Sequence, residues 1–158
     1  MRVLPFAALA LAGLAAPAAA AGASGPNALA LAGLIAEHDW RLAAADRYVV
    51  AALFAGNEGI DYPPGRAIAI GAEKVVCRVS NVEITARSCQ LTIKGRTANL
   101  SGAAANALFA TLAAAGVPAD GAAGSIFEAV HGLACTLTPS VIKQNGGGGA
   151  SCAYKIGP

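Results

Sequence analysis

The segment KVVCRVSNVEITARSCQLTIKGRTANLS, residues 74–101, decides the predicted fold because its apolar residues recur at every second position. Alternate residues of a strand point to opposite faces of a sheet. Val75, Cys77 and Val79 therefore share one face of a first strand, and Lys74 lies on the other face. This pattern predicts a strand with one buried face and one face open to solvent.

The same alternation continues through the rest of the segment. In CQLTIK, residues 89–94, the cysteine, leucine and isoleucine are in phase, and the polar residues lie opposite them. The sequence KGR, residues 94–96, predicts a tight turn into another strand, TANLS, residues 97–101. The segment is therefore predicted to be a run of antiparallel strands with short connections.

Three further stretches predict strands outside that segment. RAIAI, residues 66–70, precedes it, and ACTLT, residues 134–138, and SCAYKI, residues 151–156, close the chain. In both closing strands the cysteine is in phase with the large apolar residues.

Apolar residues at spacings of three and four predict helices in the remaining regions. Residues 22–56 are predicted to form two helices, with Asp39 as the N-cap of the second. A third helix is predicted over residues 103–115. The capping-box sequence SIFE, residues 125–128, predicts a short fourth helix that ends near Leu133.

The order is thus helix, helix, three or four strands, helix, helix and two strands. Local connections of this kind predict an α+β fold, in which an antiparallel sheet of five to six strands carries about four helices on one face and is stapled by two disulfides. Residues 22–158 form one predicted domain. A faint internal repeat suggests two unequal helix-strand halves, 22–101 and 102–158, with the alternative that disulfide-linked strand pairs simply look alike.

The N-terminal sequence MRVLPFAALALAGLAAPAAAAG, residues 1–22, has the features of a secretory signal peptide. Arg2 supplies the positive charge, residues 3–14 are apolar, and Ala18 to Ala20 provide a small-x-small cleavage pattern. We therefore expect residues 1–21 to be removed and the mature protein to be periplasmic or secreted. No second membrane span is expected, because charged residues interrupt the apolar stretch that follows.

The four cysteines fit an exported protein. An even number of cysteines in an exported chain indicates disulfides, and four allow three pairings. Sequential pairing closes the shortest loops, and every cysteine lies in phase with the apolar face of its strand. No two-residue spacing indicates zinc or thioredoxin-like chemistry. The predicted bridges lie on the core side of the sheet and join Cys77 to Cys89 and Cys135 to Cys152.

Charge gives the first candidate binding surface. The whole chain carries a formal net charge of only +2 at pH 7, but Lys74, Arg78 and Lys94 are all predicted on the outer face of the sheet. Such a face could bind an acidic protein surface or an anionic component of the cell envelope; the alternative is an ordinary solvated surface. Nucleic acid is not expected, since the charge is small and no aromatic residues are interleaved with it.

Four consecutive glycines give the second candidate surface. Gly146, Gly147, Gly148 and Gly149 lie between the last two cysteines. A phosphate-binding loop would precede a helix and be followed by a lysine, whereas this run precedes a strand. The glycines are therefore predicted to be the tip of a disulfide-closed hairpin, where the backbone of a partner could approach.

His131 and Glu128 are the one pair that suggests an enzyme. Three residues apart, they would share a face of the predicted fourth helix, and a carboxylate can orient an imidazole for base catalysis. The alternative is that both lie at helix ends for structural reasons. No metal-binding motif, cofactor-binding motif or nucleophile elbow is present, so we assign no catalytic residue, no metal and no cofactor.

Two segments, KVVCRVSNVEITARSCQLTIKG (74–95) and AGVPADGAAGSIFEAVHGLAC (115–135), resemble small bacterial proteins that are predicted to be secreted and have no assigned function. The layout is also similar to that of β-lactamase inhibitor protein, with tandem helix pairs and one disulfide per half. The favoured function is a non-enzymatic envelope protein that binds a macromolecular partner. An inhibitor of a secreted or periplasmic enzyme and a small hydrolase are the alternatives; the oligomeric state is not predicted.

Overall fold

The computed structural model describes residues 20–56, 66–79, 87–118, 129–139 and 149–157. The elements in chain order are β1 (Ala20–Ser24), α1 (Gly25–Ala36), α2 (Ala44–Phe54), β2 (Ile68–Val79), β3 (Arg87–Ile93), β4 (Arg96–Ser101), α3 (Gly102–Ala114), β5 (Val130–Leu137) and β6 (Ala150–Ile156). The predicted strands RAIAI and KVVCRV are thus parts of one long strand, β2.

The six strands form a single sheet in the order β1-β6-β5-β2-β3-β4, and every neighbouring pair is antiparallel. The α+β prediction is confirmed, but the described residues contain three helices and not about four. The prediction of a fourth helix is wrong for its last residues, because residues 130–133 belong to β5. This strand pairs with both β2 and β6, and that pairing outweighs the local helical spacing. The rest of the predicted helix lies outside the described residues.

Two predictions about the N-terminal region are also wrong. Residues 22–24 are not helical; they belong to β1, an edge strand that pairs with β6. Asp39 does not cap α2, whose N-cap is Ala43. The Asp39 carboxylate accepts a hydrogen bond from the backbone N–H of Arg41, 3.0 Å away, and binds Lys94, so it fixes the loop between α1 and α2.

The core lies between the sheet and two helices. Helix α1 contacts β6, β2, β1 and β5, helix α3 contacts β3 and β4, and α2 packs on α1. Leu31 and Ile35 of α1 and Leu108 and Leu112 of α3 are at most 1% exposed. Both helices therefore cover the same face of the sheet, and the opposite face stays open.

The two predicted disulfides are confirmed. Each joins residues directly opposite each other on adjacent strands, with Cα–Cα distances of 4.1 Å for Cys77–Cys89 and 4.0 Å for Cys135–Cys152. All four cysteines are at most 5% exposed, so both bridges lie on the core side of the sheet. Closing loops of this size stabilises the fold by about 3 kcal/mol each on the chain-entropy argument.

The sheet has an approximate two-fold arrangement about the β2–β5 pair. Strand β1 leads directly into α1 through Ser24 and Gly25, and β4 leads into α3 through Ser101 and Gly102; the φ angles of the two glycines are 61° and 59°. Each helix covers the hairpin on its own side of the sheet: a backbone carbonyl of α1 lies 3.5 Å from Cys152 Sγ, and one of α3 lies 3.6 Å from Cys89 Sγ. A division of the chain into two duplicated halves stays a prediction.

Candidate binding surface

The side of the sheet opposite α1 and α3, here called the outer face, is open to solvent. Its exposed side chains are small or polar, and its largest apolar one, Val76, is half-buried. The exposed residues on the outer face include Gly22, Ser24, Ala69, Lys74, Arg78, Ser88, Gln90, Thr97, Asn99, Ser101, Ala134, Thr136, Ser151, Ala153 and Lys155.

Two of these residues, with His131 between them, form a row across three neighbouring strands of the sheet. His131 of β5 lies directly opposite Lys74 of β2 on one side and directly opposite Lys155 of β6 on the other. Directly opposed side chains have Cβ atoms about 4.5–5.5 Å apart. We call Lys155, His131 and Lys74 the cross-strand row. Lys74 is in turn opposite Thr92 of β3.

A β-bulge fixes the position of His131 in this row. The register between β5 and β6 shifts between His131 and Ala134, and Gly132 has a φ of 58°. Only glycine adopts this left-handed conformation without strain. The bulge turns Val130 and Leu133, on either side of it, into the core, and His131 is thereby presented on the outer face.

A second feature of the outer face lies around Arg78, a predicted binding residue. A shallow depression of about 160 Å³ is lined by Arg78 with Ser88, Gln90 and Asn99 and by parts of their neighbours. Ser88 is directly opposite Arg78, and Gln90 lies between β2 and Asn99 of β4. A guanidinium, two amides and a hydroxyl can together donate and accept hydrogen bonds, so this depression suits a polar ligand.

Lys94, the third predicted binding cation, does not present its charge on the outer face. Its Nζ donates to both carboxylate oxygens of Asp39, at 2.7 and 2.8 Å. Asp39 is fully buried, and the Lys94 side chain is 40% exposed. Lys94 lies in the two-residue turn between β3 and β4, and this ion pair attaches the turn to the loop that follows α1. Its role in the structure is therefore to hold two segments together.

The described residues of the outer face include few carboxylates that could balance its cations. Among the described residues no carboxylate forms an ion pair with Lys74, Arg78 or Lys155. The nearest acidic residue in sequence, Glu73, accepts a hydrogen bond from the backbone N–H of Gly95, 3.1 Å from its Oε1. The positive charge of this face is therefore available to an external anion.

The other predicted site residues are only partly described. Gly149 accepts a hydrogen bond from the Thr138 N–H, 3.0 Å away, where the last hairpin opens into its loop. Gly146, Gly147 and Gly148 lie outside the described residues. Glu128 does as well, and His131 is in a strand. The expectation that these two residues share a helix face is therefore wrong.

The sequence patterns missed Lys155, Ser88, Gln90 and Asn99. Lys155 could have been found, because it alternates with Tyr154 and Ile156 in the last strand. Its neighbours in space could not, since strand order decides which residues meet. In the described part of the chain no three His, Cys, Asp or Glu residues are grouped to hold a metal. No helix there is long and apolar enough to cross a membrane.

Trp40 provides a separate feature near one end of the sheet. Its indole N–H donates to the backbone carbonyl of Ile93, and the guanidinium carbons of Arg41 and Arg96 lie 4.3 and 3.9 Å from its ring centre. Trp40 is in the loop between α1 and α2. Its cation–π contacts connect this loop to β4.

No protein-family model matches the chain, and comparisons with curated proteins and with solved structures find no match. The expected similarity to β-lactamase inhibitor protein stays a prediction. Function has to be argued from the surface itself.

Proposed function

We propose that this protein is an exported, non-enzymatic binding protein whose outer face binds an anionic polymer of the cell envelope. The main observation behind the proposal is that helices cover only one face of the sheet. Two helices cover one face, while the other presents Lys74, Arg78 and Lys155 without a described carboxylate partner. Complementary charge attracts a polyanion and orients it on such a surface.

The distances between these cations suit an extended chain of charges. Lys74 and Arg78 are four residues apart on β2, which corresponds to about 13 Å along the strand. Lys155 is two strands away from Lys74, about 10 Å across the sheet. A polymer with regularly spaced anionic groups can meet several of these cations at once, so that weak single contacts add up.

The shape of the face favours a polymer over a folded protein partner. Protein–protein interfaces rely on buried aromatic and large apolar anchors. Among the described residues the exposed large apolar side chains are Trp40, Tyr48 and Phe54, which belong to α2 and the loop before it. The outer face instead offers small polar side chains that hydrogen-bond and approach a ligand closely.

The disulfides support the exported part of the proposal. Two buried bridges persist in an oxidising compartment and are rare in the cytosol, and the N-terminal signal-like sequence agrees with this. The inhibitor and hydrolase alternatives stay predictions. No feature of the described residues favours either of them over the binding function.

Poly(glycerol phosphate) immobilised on a sensor surface is a suitable first test. The variant Lys74→Gln/Lys155→Gln should bind at least about tenfold more weakly than the parent, because two charge-assisted contacts are lost. The variant Arg41→Gln/Arg66→Gln removes the same charge away from the outer face and serves as the matched control. Equal weakening in both double variants would contradict the proposal, because only net charge would then matter.

A further inference from the structure

His131 has an unusual environment for a surface histidine. In the described part of the chain its Nε2 is the one buried side-chain nitrogen or oxygen with no hydrogen-bond partner. An imidazole always carries at least one N–H that can donate. Burying such a group without a partner destabilises a fold, so an orphaned atom of this kind calls for an explanation.

The two lysines beside His131 add a second unfavourable feature. Lys74 and Lys155 lie directly opposite it on the two neighbouring strands. The two lysines are about 10 Å apart across the sheet, with the imidazole between them, and their like charges repel each other. Glu73 precedes Lys74 but accepts the Gly95 N–H. The two lysines thus bring positive charge to either side of His131, and the bulge at Gly132 places His131 between them.

We propose that the cross-strand row binds one phosphate group of the ligand. The two lysine ammonium groups donate to its oxygens, and the His131 ring, which lies between them, turns its buried N–H outward to donate to another oxygen. An anion in this position provides the missing partner for His131 and neutralises the repulsion between the lysines. This proposal rests on the proposed function, since it identifies the charged group of the polymer that the outer face binds.

The donor set favours phosphate over carboxylate. A phosphate offers several oxygens in a tetrahedral arrangement, and these can accept from three separate donors. A carboxylate offers two oxygens in a plane and is matched best by the planar fork of an arginine. The row contains no arginine, and lysine binds phosphate as a compact charge with three donors.

Histidine NMR tests this directly, because the chain contains only two histidines, His38 and His131. Inorganic phosphate is titrated into the oxidised protein at constant ionic strength while the imidazole nitrogen and carbon resonances are followed. His131 should shift in a saturable manner, and His38, in the loop after α1, should not. In Lys74→Gln/Lys155→Gln the apparent dissociation constant should rise by at least about tenfold. Lys155→Gln alone is a second variant, and it should fold like the parent because it changes one exposed side chain of β6.

Unchanged His131 resonances at saturating phosphate would overturn the proposal, and so would equal shifts of both histidines. Binding of poly(glycerol phosphate) without any effect at His131 would refute the phosphate site but leave the proposed function standing. The reverse result, a phosphate-induced shift without polymer binding, would support the site and refute the proposed function. Stronger binding to phosphatidylglycerol vesicles than to the polymer would overturn the assignment of the phosphate to a polymer.

Discussion

Removal of the Asp39–Lys94 ion pair should destabilise the protein without weakening ligand binding. The Asp39 carboxylate is completely buried and accepts two hydrogen bonds from the Lys94 ammonium, at 2.7 and 2.8 Å. Asp39→Asn removes the charge and keeps an oxygen that can accept the backbone N–H of Arg41. Lys94→Met removes the ammonium and keeps most of the side-chain stem.

The expected cost follows from the exposure of the two partners. Breaking a fully buried pair by removing one partner costs about 3–5 kcal/mol. Because 40% of the Lys94 side chain is exposed, water compensates part of this loss. We therefore expect Asp39→Asn to lower the free energy of unfolding by about 2–3 kcal/mol. The double variant should cost less than the sum of the two single variants, because residues in direct contact are coupled.

Urea unfolding of the oxidised protein, followed by circular dichroism, measures these values, and the four proteins form a double-mutant cycle. The reasoning would be refuted if Asp39→Asn cost less than about 0.5 kcal/mol, the range of ordinary surface substitutions. The reasoning would also be refuted if the loss in free energy of unfolding in the double variant equalled the sum of the losses in the two single variants. Loss of polymer binding in a folded Lys94→Met protein would instead return Lys94 to the binding surface.

Three other predictions concern stability. Burial raises the pKa of Tyr154, whose hydroxyl donates to the Ala115 carbonyl at 2.7 Å. The contribution of this hydroxyl to the free energy of unfolding is complete below about pH 10, the pKa in the unfolded chain, and is lost as the pH rises through the higher pKa of the folded protein. The stability difference between the parent and Tyr154→Phe, about 1 kcal/mol at neutral pH, should therefore shrink on alkaline titration. Replacing Cys77 and Cys89 together by alanine should cost about 3 kcal/mol in urea unfolding. Gly132→Ala should cost about 1–2 kcal/mol, because its left-handed φ strains any side chain, and a neutral effect would argue against the bulge.

The disulfides and most strands could be predicted from the sequence because both depend on local alternation. A cysteine in phase with large apolar residues points to the core whichever strand lies beside it, and for all four cysteines this was correct. The strand Ala20–Ser24 could not be predicted in this way. Its sequence, AAGAS, carries no strong period, and only pairing with β6 makes it a strand.

The candidate site was predictable only in part. Lys74 and Arg78 were placed by the period of two, but Lys94 was misplaced because the turn at Lys94 and Gly95 interrupts that period and directs the ammonium to Asp39. The cross-strand row was beyond the sequence patterns, since residues 74, 131 and 155 meet only through the strand order β6-β5-β2. His131 was expected in a helix, so its lysine neighbours could not be anticipated.

The most direct test of the central claim, that the outer face is the binding surface, is an NMR titration of the ¹⁵N-labelled oxidised protein with poly(glycerol phosphate). We predict that the largest shift changes fall on β2, β5 and β6 around Lys74, His131 and Lys155 and extend toward Arg78. Helix α2 and the loop around Trp40 should be unaffected. Changes centred on Trp40 and α2, with the outer face unperturbed, would contradict the account.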